Sequence, residues 1–273
     1  MRAIGKFLIL TFATTWVLWA LVIWAGAQRK TSAVLVLGGP LFLLGVFTPG
    51  ILAVALTALD EGGHALGALF RRVFLWRIDV RFYAFALLLM PLTKLAVAVL
   101  HRALAGAWPQ FGDSRPVVLV AATIVGTVGQ AGEEMGWRGY LLPRFTQRTG
   151  LATASLIVGA TWAVWHLPLF FAAEADTYHQ SFLLYALQVT AYSIALAWLY
   201  WRTSGSLLLA MFMHSAFNNL KDIVPSAGAQ GGSVFTFDAT LVFRLTVLLL
   251  WIIGAVLLVC MRGVRQVGEA PVR

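Results

Sequence analysis

Charged residues and cysteine are both scarce in this chain, and each scarcity excludes a class of protein. Only 11% of the 273 residues are charged, against 60% that are hydrophobic, whereas soluble domains carry about 25% charged residues. No polar stretch is long enough to form a separate soluble domain. The single cysteine, Cys260, rules out a disulfide framework and a CxxC metal motif. It lies in the last apolar run and is therefore a poor candidate for a thiol nucleophile.

Long apolar runs fill most of the sequence instead. At 1.5 Å per residue, most of them can cross roughly 30 Å of hydrocarbon. They lie near residues 7–27, 34–59, 82–100, 116–143, 151–172, 182–201, 205–221 and 240–261. The sequence therefore predicts an all-α, polytopic membrane bundle of about eight helices, forming a single domain over residues 1–273. The first run contains three Trp residues and is long for a cleaved signal segment, so we expect a retained helix.

Basic residues are concentrated on one side of the predicted bundle. Thirteen Lys and Arg residues fall on the side of the amino terminus, and five fall on the other side. Because cytoplasmic loops are enriched in Lys and Arg, both termini are predicted to face the cytoplasm of an inner or plasma membrane. Residues 60–81 mix Arg with Phe, Trp and Leu, which predicts an amphipathic helix in contact with membrane lipids. The net charge of +9 is spread over helix ends, so we expect no nucleic-acid partner.

Polar residues inside the apolar runs are the best candidates for function. An ionisable group at bilayer depth costs at least ~2.5 to 3.5 kcal/mol and normally faces a protein interior or a cavity. Three runs carry such groups at spacings of four, which put the members of each group on one helical face. The residues are Glu133, Glu134, Arg138, His166, His214 and Asn218. Counted along the helices they lie roughly 15 to 24 Å deep, where they can meet. Lys94 and Arg244 are isolated, and we interpret them as structural.

A purely structural explanation accounts for part of this set. Glu134 can pair with Arg138 at i, i+4, and each histidine can hydrogen-bond a backbone carbonyl between helices. Packing alone does not require two adjacent carboxylates, two imidazoles and an amide at matching depth. The ion pair would leave Glu133 without an obvious partner and available as a general base.

Three short motifs carry these residues. They are "EEMGWRGYLL" at 133–142, "WAVWH" at 162–166 and "HSAFN" at 214–218. Together they resemble the EExxxR, [F/W]xxxH and HxxxN motifs of the CPBP family, the CAAX proteases and bacteriocin-processing enzymes also called Abi proteins, to which the Ras-converting endopeptidases belong. Their order, separation and hydrophobic context agree, and the resemblance covers about residues 60–225, the predicted catalytic core. Trp162 stands where Phe is frequent.

The resemblance implies a glutamate-dependent intramembrane peptidase with an eight-helix core and a cavity open toward the cytoplasm. Glu133 would be the general base, and His166 would orient and activate a water molecule. His214 and Asn218 would stabilise the oxyanion, while Glu134 and Arg138 would support the geometry. The expected partner is a membrane-associated peptide or protein, lipidated or not, and no cofactor or metal is expected.

Three alternatives stay open at this point. Glu133 and the two histidines are also a ligand set for catalytic zinc, although the contiguous HExxH motif is absent. A non-catalytic membrane scaffold, such as a bacteriocin-immunity protein, would use the same residues for binding. A proton-coupled transporter would use them as a relay.

Overall fold

The computed structural model describes residues 2–27, 38–178, 180–226 and 234–266. Within these ranges all regular structure is helical. The α-helices are α1 (Arg2–Ala27), α2 (Gly39–Val73), α3 (Val80–Ala105), α4 (Pro116–Gly126), α5 (Ala131–Glu134), α6 (Leu142–Thr149), α7 (Leu151–Trp165), α8 (Phe182–Arg202), α9 (Leu207–Leu220) and α10 (Leu241–Cys260). A π-helix (Met135–Leu141) joins α5 to α6, and 3-10 turns cover Val128–Gln130, Leu167–Phe171 and Lys221–Ile223.

Six helices in the described part of the chain are long and apolar enough to cross a membrane. They are α1, α2, α3, α7 with its 3-10 extension, α8 and α10. A seventh span results if α4 and the segment Val128–Thr149, which meet at a bend of 42°, are counted together. The predicted polytopic all-α bundle is therefore confirmed. The seventh apolar run forms α9, whose 14 residues are too short for the full hydrocarbon thickness and are mostly buried among other helices.

Helix α8 forms the centre of the bundle. In its most apolar window, 72% of the residues are buried, the largest share of any span in the described residues. It packs against α7 and α10. A Cβ atom on Gly159 of α7 would lie 2.8 Å from the Cα of Thr190, so only glycine permits this approach. Small residues at such crossings are the usual means of close packing in membranes, and this one brings the end of α7 near α8.

Helix α1 packs against α2 and the end of α7. The side chains of Phe7 and Trp19 are buried. The indole of Trp19 donates a hydrogen bond to the carbonyl of Phe42 (3.2 Å), and that of Trp16 donates to the carbonyl of Trp165 (3.0 Å). The first apolar run is thus part of the described core.

Contacts at one end of the bundle bring both ends of the described chain together. Lys6 of α1 pairs with Asp60 at 3.2 Å. The amide of Leu151 donates to the carbonyl of Val264 at 2.8 Å, just beyond α10. We call this the terminal end; it contains the α2–α3, α6–α7 and α8–α9 connections.

The opposite end, which we call the distal end, contains the α3–α4, α7–α8 and α9–α10 connections. There Lys221 pairs with Asp176 at 2.5 Å, and the amide of Gly112 donates to the carbonyl of Ile223 at 3.1 Å. Successive spans run alternately between the two ends.

The predicted amphipathic segment 60–81 is helical over only part of its length. Helix α2 kinks at Gly62, which has a positive φ of 82° that glycine adopts readily, and the helix ends at Val73. Residues 75–79 are not helical. Phe74 and Trp76 are exposed, which suits contact with lipid at the terminal end.

Candidate active site

The two glutamates sit on a backbone that α2 approaches very closely. A Cβ atom on Gly132 would lie 2.8 Å from the Phe47 ring, and one on Gly136 would lie 2.8 Å from the backbone carbon of Pro49. The motif glycines on either side of Glu133 and Glu134 therefore allow α2 to pack directly against this segment. That contact fixes the position of both carboxylates along the axis of the bundle.

Gly136→Ala is expected to destabilise the protein by about 1 to 3 kcal/mol, because the added methyl group meets backbone that cannot move aside. The measurement is thermal unfolding of the purified protein in detergent. Gly129→Ala is the matched control, since a Cβ there meets nothing within 4 Å. Equal unfolding temperatures for the two variants would contradict the proposed close contact.

A π-helix follows the glutamates directly. All seven of its residues, Met135–Leu141, are buried. Such insertions are rare and occur often at functional sites, because they change the direction of side chains along a helix. Here the π-helix carries Arg138 into the interior.

Glu134 is the centre of a fully buried polar network. Its Oε1 accepts hydrogen bonds from Arg138 Nη1 and from His214 Nδ1, both at 2.8 Å. Arg138 Nη2 donates in turn to Ser193 Oγ of α8 at 3.1 Å. The ion pair inferred from spacing is present, and the network also ties the motif segment to α8 and α9.

Glu133 lies beside this network and faces a different neighbour. Its side chain is 9% exposed, and its Oε2 is 4.0 Å from His166 Nε2. His166 Nδ1 lies 2.9 Å from the carbonyl of Trp162. A carbonyl only accepts, so Nδ1 holds the proton, and Nε2 is an acceptor when the imidazole is neutral. The separation of 4.0 Å is longer than a direct hydrogen bond.

Trp162 has a role that sequence reasoning missed. Its indole N–H donates a 2.6 Å hydrogen bond to Glu133 Oε2, so Glu133 does have a protein partner. Its ring faces the Arg138 guanidinium at 4.6 Å and lies edge-on to His214 with centroids 5.0 Å apart. The sequence did carry a signal for this bond. A Trp in place of the frequent Phe adds an indole N–H donor, which needs a hydrogen-bond partner when it is buried.

Trp162→Phe is expected to retain the fold and to lower, roughly 10-fold, the rate of the peptide hydrolysis that the motif resemblance implies. A hydrogen bond to a charged group contributes about 1.5 to 3 kcal/mol, and water replaces part of it. The measurement is the rate of cleavage by purified protein. Trp198→Phe is a suitable control, because that ring contacts Phe85 of α3. An unchanged rate would show that the indole N–H does not serve Glu133.

A cavity of about 530 Å³ leads from the distal end toward this cluster. Its wall carries charged and polar groups from α3, α7, α8, α9 and the distal loops. They include Lys94, His166, Asp176, Tyr185, Gln188, Asn218, Lys221, Asp222 and Ser226. Of the predicted site residues, His166 and Asn218 line the cavity, and Glu133 is reached through His166.

Lys94 is more closely connected to the site than its isolation in the sequence indicated. It is 1% exposed, and its ammonium group donates to Ser226 Oγ at 2.6 Å and Thr246 Oγ1 at 3.3 Å. It lines the same cavity as His166. Its structural interpretation stays a prediction, but Lys94 is not isolated in the fold. Arg244, which donates to the carbonyl of Phe237, retains its structural interpretation.

The direction of the cavity brings two expectations into conflict. The resemblance implies an opening toward the cytoplasm, the side to which basic residues assign both termini. The structure places the two termini of the described chain at the terminal end and the cavity at the distal end. The two expectations therefore cannot both hold.

The polar cluster does not fit a three-ligand zinc site in this arrangement. Within the described ranges, no three His, Cys, Asp or Glu side chains converge as a metal site would require. Of the two motif histidines, His166 lies beside Glu133, whereas the Nδ1 of His214 is bonded to Glu134.

Known proteins match this chain over the region that holds the cluster. Residues 113–220, which contain all three motifs, match the family model described as type II CAAX prenyl endopeptidase Rce1-like. The chain is 26% identical over 219 residues to CAAX prenyl protease 2 of Methanococcus maripaludis, an alignment that covers 76% of this chain and 80% of that relative. Together with the helical bundle, these matches support an intramembrane protease. Over the matched region, the chain is similar to the CAAX-type proteases of the CPBP family.

Proposed function

We propose that this protein hydrolyses a peptide bond of a membrane-associated or lipidated substrate, with Glu133 as the general base. The observation that carries the proposal is the pairing of Glu133 Oε2 with His166 Nε2 at 4.0 Å. Two hydrogen bonds of about 2.8 Å that meet at one water oxygen at roughly a right angle span about 4 Å. A single water molecule can therefore donate to both acceptors.

The chemistry follows from the positions of the two groups. Glu133 takes a proton from the water as the water oxygen attacks the carbonyl carbon, and a new C–O bond forms. His166 orients that water through Nε2, while the Trp162 carbonyl fixes its ring through Nδ1. When the C–N bond breaks, Glu133 returns the proton to the leaving nitrogen.

His214 and Asn218 are proposed to stabilise the oxyanion, each in a different way. Asn218 is exposed to the cavity, where its amide can donate directly. His214 already donates from Nδ1 to Glu134, so it can donate to an oxyanion only when Nε2 is also protonated. The bond to Glu134 holds the His214 ring in place, which gives the network around Arg138 a supporting role.

Substrates can be found by comparing membrane peptides from cells that carry wild-type protein or Glu133→Gln. Uncleaved species are expected to accumulate with the variant. Glu174→Gln is the control, since Glu174 is an exposed carboxylate in the distal loop. If Glu133→Ala and His166→Ala insert normally and retain full biological function, the peptidase proposal fails and a binding role replaces it.

Hydrolysis is expected to survive a strong metal chelator, with less than a twofold change in rate, because the proposed base and its partner act without a metal. The measurement is cleavage by purified protein after dialysis against the chelator. Loss of activity that zinc alone restores would establish a metalloprotease instead.

A further inference from the structure

Lys94 is a buried cation whose hydrogen-bond partners in the described part of the chain are all uncharged. It is 1% exposed, and its ammonium group donates to the hydroxyls of Ser226 at 2.6 Å and Thr246 at 3.3 Å. No carboxylate of the described residues forms an ion pair with it. An ammonium group has three N–H donors. The two hydroxyls therefore leave one donor, and the positive charge, without a partner in those residues.

Such a charge is costly at the depth of Lys94. The residue lies in α3, roughly 21 Å from the start of that helix and 17 Å from its end. One turn further on, Val97 packs into an apolar cluster. Cations at this depth are normally paired or serve a function. Arg138, which is equally buried, is paired with Glu134 at 2.8 Å, so the unpaired charge of Lys94 requires another explanation.

The cavity that leads to His166 also reaches Lys94. Both residues line its wall, together with Ser226. Its volume of about 530 Å³ falls in the range of roughly 300 to 1,000 Å³ that is typical of small-ligand sites. The cavity therefore suits a short peptide segment. A substrate whose reacting bond lies at His166 can place another of its groups beside Lys94.

The other charged groups of the cavity wall are paired or exposed. Lys221 pairs with Asp176 at 2.5 Å, and Asp176 is 70% exposed. Asp222 is exposed as well. Lys94 combines burial with an uncompensated charge, and a desolvated cation of this kind attracts one negative charge more strongly than it would in water.

We propose that Lys94 binds a carboxylate group of the peptide substrate through its third N–H donor. The proposal rests on the peptidase function proposed above. A peptide offers this anion as its free carboxyl terminus or as an Asp or Glu side chain, and both present the same oxygens. Charge-assisted hydrogen bonds are roughly twice as strong as neutral ones. Lys94 then selects and positions the substrate, while Glu133 and His166 act on the reacting bond.

Binding is tested without turnover, on purified full-length Glu133→Gln protein in detergent, by isothermal titration calorimetry. The probes are acetyl-trileucine, acetyl-leucyl-glutamyl-leucine amide and acetyl-trileucine amide, which carry a terminal carboxylate, a side-chain carboxylate and no carboxylate. We expect one of the two acids to bind roughly tenfold more tightly than the neutral amide. The tighter acid identifies the source of the carboxylate. Adding Lys94→Gln should abolish the difference.

Two results of the titration would overturn the proposal. One is that the acids bind no more tightly than the neutral amide. The other is a preference for an acid that persists after Lys94→Gln, because the carboxylate would then be bound elsewhere.

Stability separates this role from a structural one. Lys94→Met removes the buried charge, so its unfolding temperature should equal or exceed that of the wild type. Lys6→Met is the control, since Lys6 is a half-exposed lysine paired with Asp60. A lower unfolding temperature than that of Lys6→Met, restored by the neutral donor of Lys94→Gln, would assign Lys94 a structural role and contradict the proposal.

Hydrolysis gives a third readout, on peptides identified among the species that accumulate with Glu133→Gln. Lys94→Gln should raise KM roughly tenfold with little change in kcat, because it removes binding and not chemistry. Replacing the bound carboxylate of the peptide by an amide should have the same effect on wild type and none on Lys94→Gln. Additive losses would refute the contact. If the acids bind through Lys94 but no peptide is cleaved, the peptidase function fails and the carboxylate site stands.

Discussion

Glu133→Gln is expected to lower the rate of peptide hydrolysis by about 10⁴-fold, the upper end of what a positioned general base contributes. The amide has nearly the same shape as the carboxylate but cannot take a proton from water. Its oxygen can still accept the 2.6 Å hydrogen bond from the Trp162 indole, so the surroundings remain in place. The measurements are the cleavage rate and the unfolding temperature of the purified variant.

Two companion variants sharpen this test. Glu133→Asp retains the carboxylate but withdraws it by one methylene group, so a partial loss between wild type and Gln is expected. Glu61→Gln removes a glutamate that pairs with Arg144 at the terminal end and should retain the wild-type rate. A Glu133→Gln variant that is folded and cleaves at more than a tenth of the wild-type rate would exclude Glu133 as the base.

Glu134→Gln is expected to reduce the free energy of unfolding by about 3 kcal/mol while lowering the rate less than Glu133→Gln does. Glu134 and Arg138 are both completely buried, and removal of one member of such a pair leaves an uncompensated charge. His214 also loses the anion to which Nδ1 donates. Chemical or thermal unfolding in detergent gives the stability, and cleavage by the same sample gives the rate.

A double variant and an exposed ion pair provide the controls. Glu134→Gln with Arg138→Met should be less destabilised than the two single changes added together, because no unpaired charge remains. Asp60→Asn removes the partner of Lys6 in a half-exposed pair and should have a small effect. If Glu134→Gln is as stable as Asp60→Asn, the buried network does not hold the site together.

The helices were predictable because hydrophobicity and length are local properties of the chain. Each predicted apolar run contains a helix, and the first run forms α1 with Trp19 buried against Phe42. The seventh run was predicted as a further helix of the bundle, but its helix is too short to span the membrane. Helix α9 is short because Ser206 caps its start and a 3-10 turn replaces it after Leu220. Its burial depends on the helices that pack around it, and the sequence of the run alone does not indicate those helices.

The residues of the candidate site could be predicted from the sequence, but only some of the contacts between them could. Spacing of four identified the Glu134–Arg138 pair, since both residues lie on the same helix face. It did not show that His214 bonds Glu134 or that Trp162 bonds Glu133, because those partners lie on other helices. Ser193 and Gln188 were polar residues within an apolar run, a signal that could have marked them as neighbours of the site.

The sequence by itself determined that this is a helical membrane protein, which motifs carry its polar residues, and which end of the bundle is basic. These features depend on composition and on spacing along one helix. Only the tertiary structure decided which carboxylate faces His166, that Lys94 lines the cavity, and that this cavity opens opposite the basic end. Such features depend on where helices that are distant in the chain cross and end, and no local pattern encodes those positions.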